Sequence, residues 1–462
     1  MARVGAVPFF AVVVVASLAA CLEAPPKDVV DGIQQPLPDV RPQVPVDLVD
    51  PLLLNHDHAD AKLHKYAYDV TLLNQHPLGG NLAKSSGAHV VDVQANHLFV
   101  GAYGATVDTE GGLYIFDLKT PAKPALVGQV RIPGNLGGDR SMEASDDGNW
   151  VALGTEPFDC AGHLNPFAPG LFLIDARDKS APKIVDYVPG SVHSLTIHRI
   201  KGDDYVMGAI TSGDQQNIYK IDKAATPPNL VPVGRVSVGH DSAAYDDPVL
   251  GKPLLYATGG GSLNIFDLSN PSSPPKIGNW TIPADERAGH YVHAIAVDWV
   301  EGRRVVAFES EDWALKTSPV WILDATDLTD IDKLATWTNP GAKAAGAEEG
   351  ELTFSTHNPR MENGILYLAH YHGGVWFVNV STLALARAPE TMGYYIPHND
   401  NGGFVPRSGE GAYPKPNICG FDLNDVPNVF DVEVKDGIVY AADLHTGVYT
   451  LRYDDSVGQL KP

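Results

Sequence analysis

The sequence predicts an all-β protein, a seven-bladed β-propeller of four-stranded antiparallel blades closed by an N-terminal strand. Three observations predict it. One phrase recurs: "LYIFDLKTPAKPALVGQV" begins at Leu113, "LFLIDARDKSAPKIV" at Leu171 and "LNIFDLSNPSSPPKIG" at Leu263. Its apolar strand ends in Asp117, Asp175, Asp222, Asp267, Asp324 and Asn379, at intervals of 45 to 58 residues. Upstream of each copy lies a further strand pair, often joined by a tight Asp-Gly or Asn-Gly turn, as in "EVKDGIVY" and "PRMENGILY"; those dipeptides accept the positive φ angles a hairpin turn demands. Four strands at such a period are the signature of a propeller blade.

Taken in chain order, the first element is an address. After Arg3, residues 5–19 form an apolar run too short for a comfortable membrane span, ending in "SLAAC" at 17–21. A short apolar core followed by small residues reads as a signal peptide over 1–20. Leu18, Ala19, Ala20 and Cys21 resemble the lipobox of bacterial lipoproteins, which implies lipidation at Cys21. Residues 21–63 carry frequent proline without strand or helix periodicity and read as an extended, semi-rigid tether. The propeller is expected over 64–462. Its first strand, "YAYDVTLLN" at 66–74, is assigned as the outer strand of the last blade, because the seventh unit ends after three strands with "VYTLRYD" at 448–454. Such closure removes exposed strand edges.

Within each complete unit the strands are A to D. Strand A starts near His89, His193, His240, His293 or His357; the second unit has Arg140 there and the last Phe430. The Asp or Asn closes strand C. Its side chain can bond the backbone two residues on and start the turn that proline completes, a structural role. The units resemble LVIVD repeats, a bacterial and archaeal propeller family often found on secreted or surface proteins. The quoted segments at 113, 171 and 263 carry the resemblance, which spans roughly residues 87–454. It implies a propeller and an exported location and no particular activity.

The chain of 462 residues has a net charge of −23 and no contiguous basic segment, which argues against a nucleic-acid partner. Cys160 and Cys419 lie in Gly/Pro-rich insertions. Outside the cytoplasm a pair is more often bridged than free. In a four-stranded meander the D-to-A and B-to-C connections share one face. Both insertions fall there, in blades separated by one, so a Cys160–Cys419 disulfide is compatible with the topology if the geometry permits.

Seventeen histidines are many beside five methionines and three cysteines. His89, His193, His240, His293 and His357 start strand A, while His372 and His445 precede strand C, so all seven lie on the insertion-rich face. One reading is a transition-metal site, to which His370 adds an i, i+2 pair with His372 on one side of a strand. The other is structural, each His tying its blade to the next by hydrogen bonds. "HYVH" at 290–293 puts its two histidines on opposite sides of a strand. "ESEDW" at 309–313 and "HNDNGG" at 398–403 lack the full spacing of a calcium loop and read as solvated loops. The expected function is an exported, lipid-anchored binding or scaffold module at the cell surface or in the periplasm. Its partners would be the membrane, through the lipid anchor, and a protein or other envelope ligand; the sequence assigns no certain cofactor, a transition-metal ion being the candidate. The alternative is an enzyme using a His-ligated copper, zinc or iron ion on the insertion-rich face. No nucleophile–base motif or phosphate loop supports other chemistry.

Overall fold

A computed structural model describes residues 67–78, 87–102, 111–132, 140–156, 169–210, 215–287, 290, 292–311, 318–340, 355–371, 373–397, 428–444 and 446–454. They form seven antiparallel sheets, each built on a meander of four consecutive strands except the last, and the sixth gains a fifth strand at its outer edge. Their innermost strands are Ala88–Gln94, Met142–Ala144, Ser194–Ile200, Ser242–Asp247, Val292–Val300, Pro359–Glu362 and Val429–Lys435. These A strands of blades 1 to 7 pack side by side around a channel, and blade 7 packs back on blade 1.

The ring closes as the sequence predicts, with one refinement. Val70–His76 pairs antiparallel with the last strand, Gly447–Tyr453. Asp69, just before it, has φ 49°. That left-handed residue breaks the expected single strand over 66–74, and Ala67–Tyr68 pairs instead with the outer strand of blade 6. The N-terminal segment therefore fastens two blades.

The core is divided into seven wedges. Each interface between neighbouring blades holds one apolar cluster. At the closing interface Leu98, Val100 and Phe116 of blade 1 meet Tyr440, Ala442 and Val448 of blade 7. Strands B and C are buried on both sides by neighbouring sheets, which explains why they read as continuous apolar runs.

Two features of the repeat acquire physical reasons. Asp117, Asp175, Asp222, Asp267, Asp324 and Asn379 each accept a hydrogen bond from the backbone N–H two residues on, at 2.7–3.1 Å. This is the turn-starting role expected of them. Blade 6 turns through a short helix, Leu383–Arg387, capped by Thr382, with Pro389 just ahead of strand D. The second feature is a bulge between strands C and D of every blade. The extra residue is apolar each time: Leu73, Val127, Val185, Val233, Ile277, Leu334 and Met392. A glycine follows in four blades. A Cβ on Gly128 would lie 2.0 Å from the Lys179 carbonyl oxygen, and one on Gly234 would lie 2.3 Å from that of Pro271. Lys179 and Pro271 belong to the Asp-Pro turn of the next blade. The bulge bends the strand, and the glycine lets that turn dock on it.

Candidate functional site

The residues at the start of strand A gather at one mouth of the channel. The register of strands A and B slips at His89, at His293–Ala294 and at Phe430, so these residues leave the ladder. A bulge of this kind re-aims a side chain. In blades 3, 4 and 6 the histidine stands just ahead of the strand, its N–H still bonded to strand B through Ala209, Thr258 and Ala369.

The rings form a continuous arc over five blades. Centroid separations are 4.4 Å for His193–His240, 5.0 Å for His240–His293, 4.5 Å for His293–His357 and 4.0 Å for His357–Phe430. His193 Nε2 and His240 Nε2 approach to 3.3 Å. Hydrogen bonds also tie blades 3 to 7 in succession. His293 Nδ1 donates to the His357 carbonyl at 2.9 Å, and His357 Nδ1 to the Phe430 carbonyl at 2.6 Å. Ser194 donates to the His240 carbonyl and Thr258 to the His293 carbonyl. In blade 1, His89 Nε2 pairs with Ser141 Oγ of blade 2 at 2.9 Å, both fully buried. Arg140 occupies the position in blade 2. Its guanidinium donates to the Pro359 carbonyl of blade 6 at 3.0 Å, spanning the mouth, and stands 3.8 Å from Asp241.

Carboxylates from the ends of strand B complete the array. Glu156 Oε1 is 2.9 Å from His193 Nδ1, Glu309 Oε1 is 3.0 Å from His293 Nδ1, and Glu311 Oε2 is 3.7 Å from His293 Nε2. Burial raises the Glu309 carboxyl above its ordinary range, against the pull of His293. Tyr371 donates its hydroxyl to Glu311. "ESEDW" is thus no solvated loop where it is described: Glu309 and Glu311 are buried at the mouth. Its alternating acids at the end of a strand put both on the side facing the histidines, a signal available once the strand's end was fixed.

Three residues further along the A strands lies a second polar layer. Asp92 accepts from Ala144 N–H, and Asp431, one residue past Phe430, accepts from Val91 N–H, each tying one blade to the next. Arg360 donates to Glu433 at 2.6 Å. Desolvation, reinforced by neighbouring carboxylates, pushes Glu143 up to about 8 and Asp92 up to about 7.

His370 does not join the arc. Strand B of blade 6 ends at Ala369 and Tyr371 has φ 43°, so the strand alternation expected of His370 and His372 does not apply. His370 is buried beside Trp337 and Trp376. His290 meets Trp321 edge to face. His372, His445, Cys21, Cys160 and Cys419 lie outside the described residues.

The fold and mouth define a seven-bladed β-propeller with a histidine and carboxylate array at one end of its channel. A family model described as LVIVD repeat matches residues 249–281, which run from the A–B turn to the end of strand D in blade 4. The chain is a β-propeller whose fourth blade carries an LVIVD-repeat match. No curated protein matches it. Among similar solved structures is BamB from Moraxella catarrhalis, with 11% identity over 84% of this chain and 99% of that one, TM-score 0.45. Another is the Cps50 (Swd1) β-propeller domain of Myceliophteria thermophila, with 13% identity over 83% and 98%, TM-score 0.47. A third is Saccharomyces cerevisiae Sqt1, with 9% identity over 79% and 95%, TM-score 0.45.

Proposed function

We propose that the chain is a binding module of the bacterial cell envelope, holding its ligand at the histidine-lined mouth of the propeller. The observation that carries this reading is the convergence there of polar side chains from all seven blade positions except that of Phe430. The repeat alone needs one blade tie per interface. Here imidazoles touch one another, and buried acids and an arginine spanning the mouth stand among them. The strand ends that the long segments 157–168 and 398–427 connect lie on the same face, and binding residues concentrate in such connections on a rigid scaffold.

The module is exported and lipid-anchored in this proposal. Residues 1–20 are its signal peptide, Cys21 its lipidated residue, 21–63 its tether, and 64–462 its propeller. The "SLAAC" run supports the anchor, and among the described residues no helix is long and apolar enough to cross a membrane. The partners are the membrane, through the lipid, and an envelope protein or other envelope ligand. Cys21→Ser should abolish labelling by a fatty-acid probe and move the protein to the soluble fraction; unchanged labelling sinks the anchor. In the Cys21→Ser background, where the lipid cannot hold it, the protein should bind an envelope fraction and lose that binding in His240→Ala. Equal binding by the variant would move the ligand off the mouth.

The second reading, a metal-dependent enzyme, is favoured by the interleaving of imidazole and carboxylate donors at this mouth.

A further inference from the structure

We propose that His293, Glu311 and His357 form a site for one divalent first-row transition-metal ion of the zinc class. The proposal rests on the reading that the mouth is the functional site. One potential ligand atom from each residue lies within 4.8 Å of the others, and the three side chains are 0%, 7% and 1% exposed. Two ligands come from blade 5 and one from blade 6.

The blade ties themselves prepare the imidazoles. A main-chain carbonyl can only accept a hydrogen bond. His293 Nδ1 faces the His357 carbonyl and His357 Nδ1 faces the Phe430 carbonyl, so in both rings the proton of the neutral form sits on Nδ1. The basic lone pair is then on Nε2. Metal-ligating histidines are held by this kind of Nδ1 contact to a carbonyl or carboxylate. Glu309 reinforces it at His293.

Glu311 is aimed by Tyr371. The tyrosine hydroxyl occupies Oε1, while Oε2 is the oxygen nearest His293 Nε2. Tyr371 is itself fixed, exchanging both backbone hydrogen bonds with Val429 of blade 7. Tyr371 is therefore a positioning residue. Among the described residues the surrounding charge also suits a cation: Glu156, Asp241, Glu309 and Glu311 stand at this mouth against one arginine, Arg140.

Zinc–nitrogen bonds of about 2.0–2.1 Å place tetrahedral ligand atoms roughly 3.3 Å apart. The cluster would have to close by about an ångström or more, within the reach of side-chain rotation. Two His and one Glu leave a coordination position open, the arrangement of exchangeable rather than closed structural sites. His240 is the next ring along the arc, its centroid 5.0 Å from that of His293.

The test uses the full-length protein in detergent, stripped with a chelator and titrated with Co²⁺ as probe. One equivalent should bind with visible bands of a four- or five-coordinate ion, displaced by Zn²⁺, and should raise the melting temperature. The bands should vanish in His357→Gln and Glu311→Gln. They should persist in His97→Gln, at an A–B turn on the opposite face. Tyr371→Phe should weaken binding by about 10- to 100-fold without removing it. Should His357→Gln fail to fold, Glu311→Gln decides. Absent bands, or bands untouched by Glu311→Gln, overturn the site. If metal is absent while His240→Ala still loses the envelope ligand, the mouth stands as a binding surface and only the metal falls.

Discussion

The two faces of this propeller use the repeat differently. On the face of the A–B and C–D turns, contacts repeat: six turns begin with the same side-chain bond and all seven C–D pairs bulge at the same place. On the opposite face the A strands begin with His, Arg, His, His, His, His and Phe, and their contacts change from blade to blade. His357 bonds a backbone carbonyl, His193 a carboxylate and another imidazole, and Arg140 reaches across the opening. Where a repeat protein keeps its contacts constant it is building the ring. Where they diverge at fixed backbone positions, something other than closure shapes them.

The largest effect should come from the constant face. Arg304 of blade 5 is buried, donates to Asp247 of blade 4 and holds the Ala325 carbonyl. Asp247 in turn organises its own turn through Val249 and Leu250 N–H. Arg304→Ala leaves a buried carboxylate unpaired, which costs about 3–5 kcal/mol. Chemical denaturation should show that loss. A change below about 1 kcal/mol would mean water reaches Asp247 and the face is looser than described.

Next comes the docking of turns on bulge glycines. Gly128→Ala places a methyl group 2.0 Å from the Lys179 carbonyl, whereas Gly278→Ala meets the Leu328 carbonyl at 3.0 Å. The first substitution should cost about 1–3 kcal/mol or more, the second clearly less. Equal losses would show that glycine serves backbone freedom at these sites rather than close approach.

This face was also the legible one. The Asp-Pro turn, the hairpin dipeptides and the apolar runs are local signals, and the need for the 66–74 strand follows from counting strands. Its break at Asp69 was not legible, because only the competing edge of blade 6 explains it. The five strand-A histidines were placed at the mouth by topology alone. Their mutual contact was not, since it depends on how closely the ring draws seven strand starts together. Glu309 and Glu311 were missed because a charged segment after a strand looks like a loop until neighbouring blades bury it. Tyr371 carried no pattern at all.

The inner channel offers a smaller, pH-dependent test. An acid with a raised native pKa keeps a proton that the unfolded chain has already released. Stability therefore falls as pH rises from near 4.5 to about 8 for Glu143, and from near 3.8 to about 7 for Asp92, then levels off. Glu143→Gln should flatten that decline and gain most over wild type at pH 8. An unaltered slope in thermal melts from pH 5 to 8 would mean that Arg360 and Arg140 keep Glu143 ionised.

The smallest expected effect has the opposite sign and concerns the histidine that stands apart from the arc. Burial lowers His370 to about 3. The unfolded chain takes up a proton there as pH falls through about 6.5, and the native state does not. Stability is therefore lost progressively from pH 6.5 towards 3. Among the described residues neither ring nitrogen of His370 has a hydrogen-bond partner, a cost that a phenyl ring of similar shape would not carry. His370→Phe should be neutral or slightly stabilising at pH 7 and should gain on wild type as the pH drops to 5. Because the ring packs on Trp337 and Trp376 and not on another imidazole, cobalt binding at the mouth should be unchanged. Destabilisation at pH 7, or loss of the cobalt bands, would put a partner on this ring and bring His370 back into the donor set.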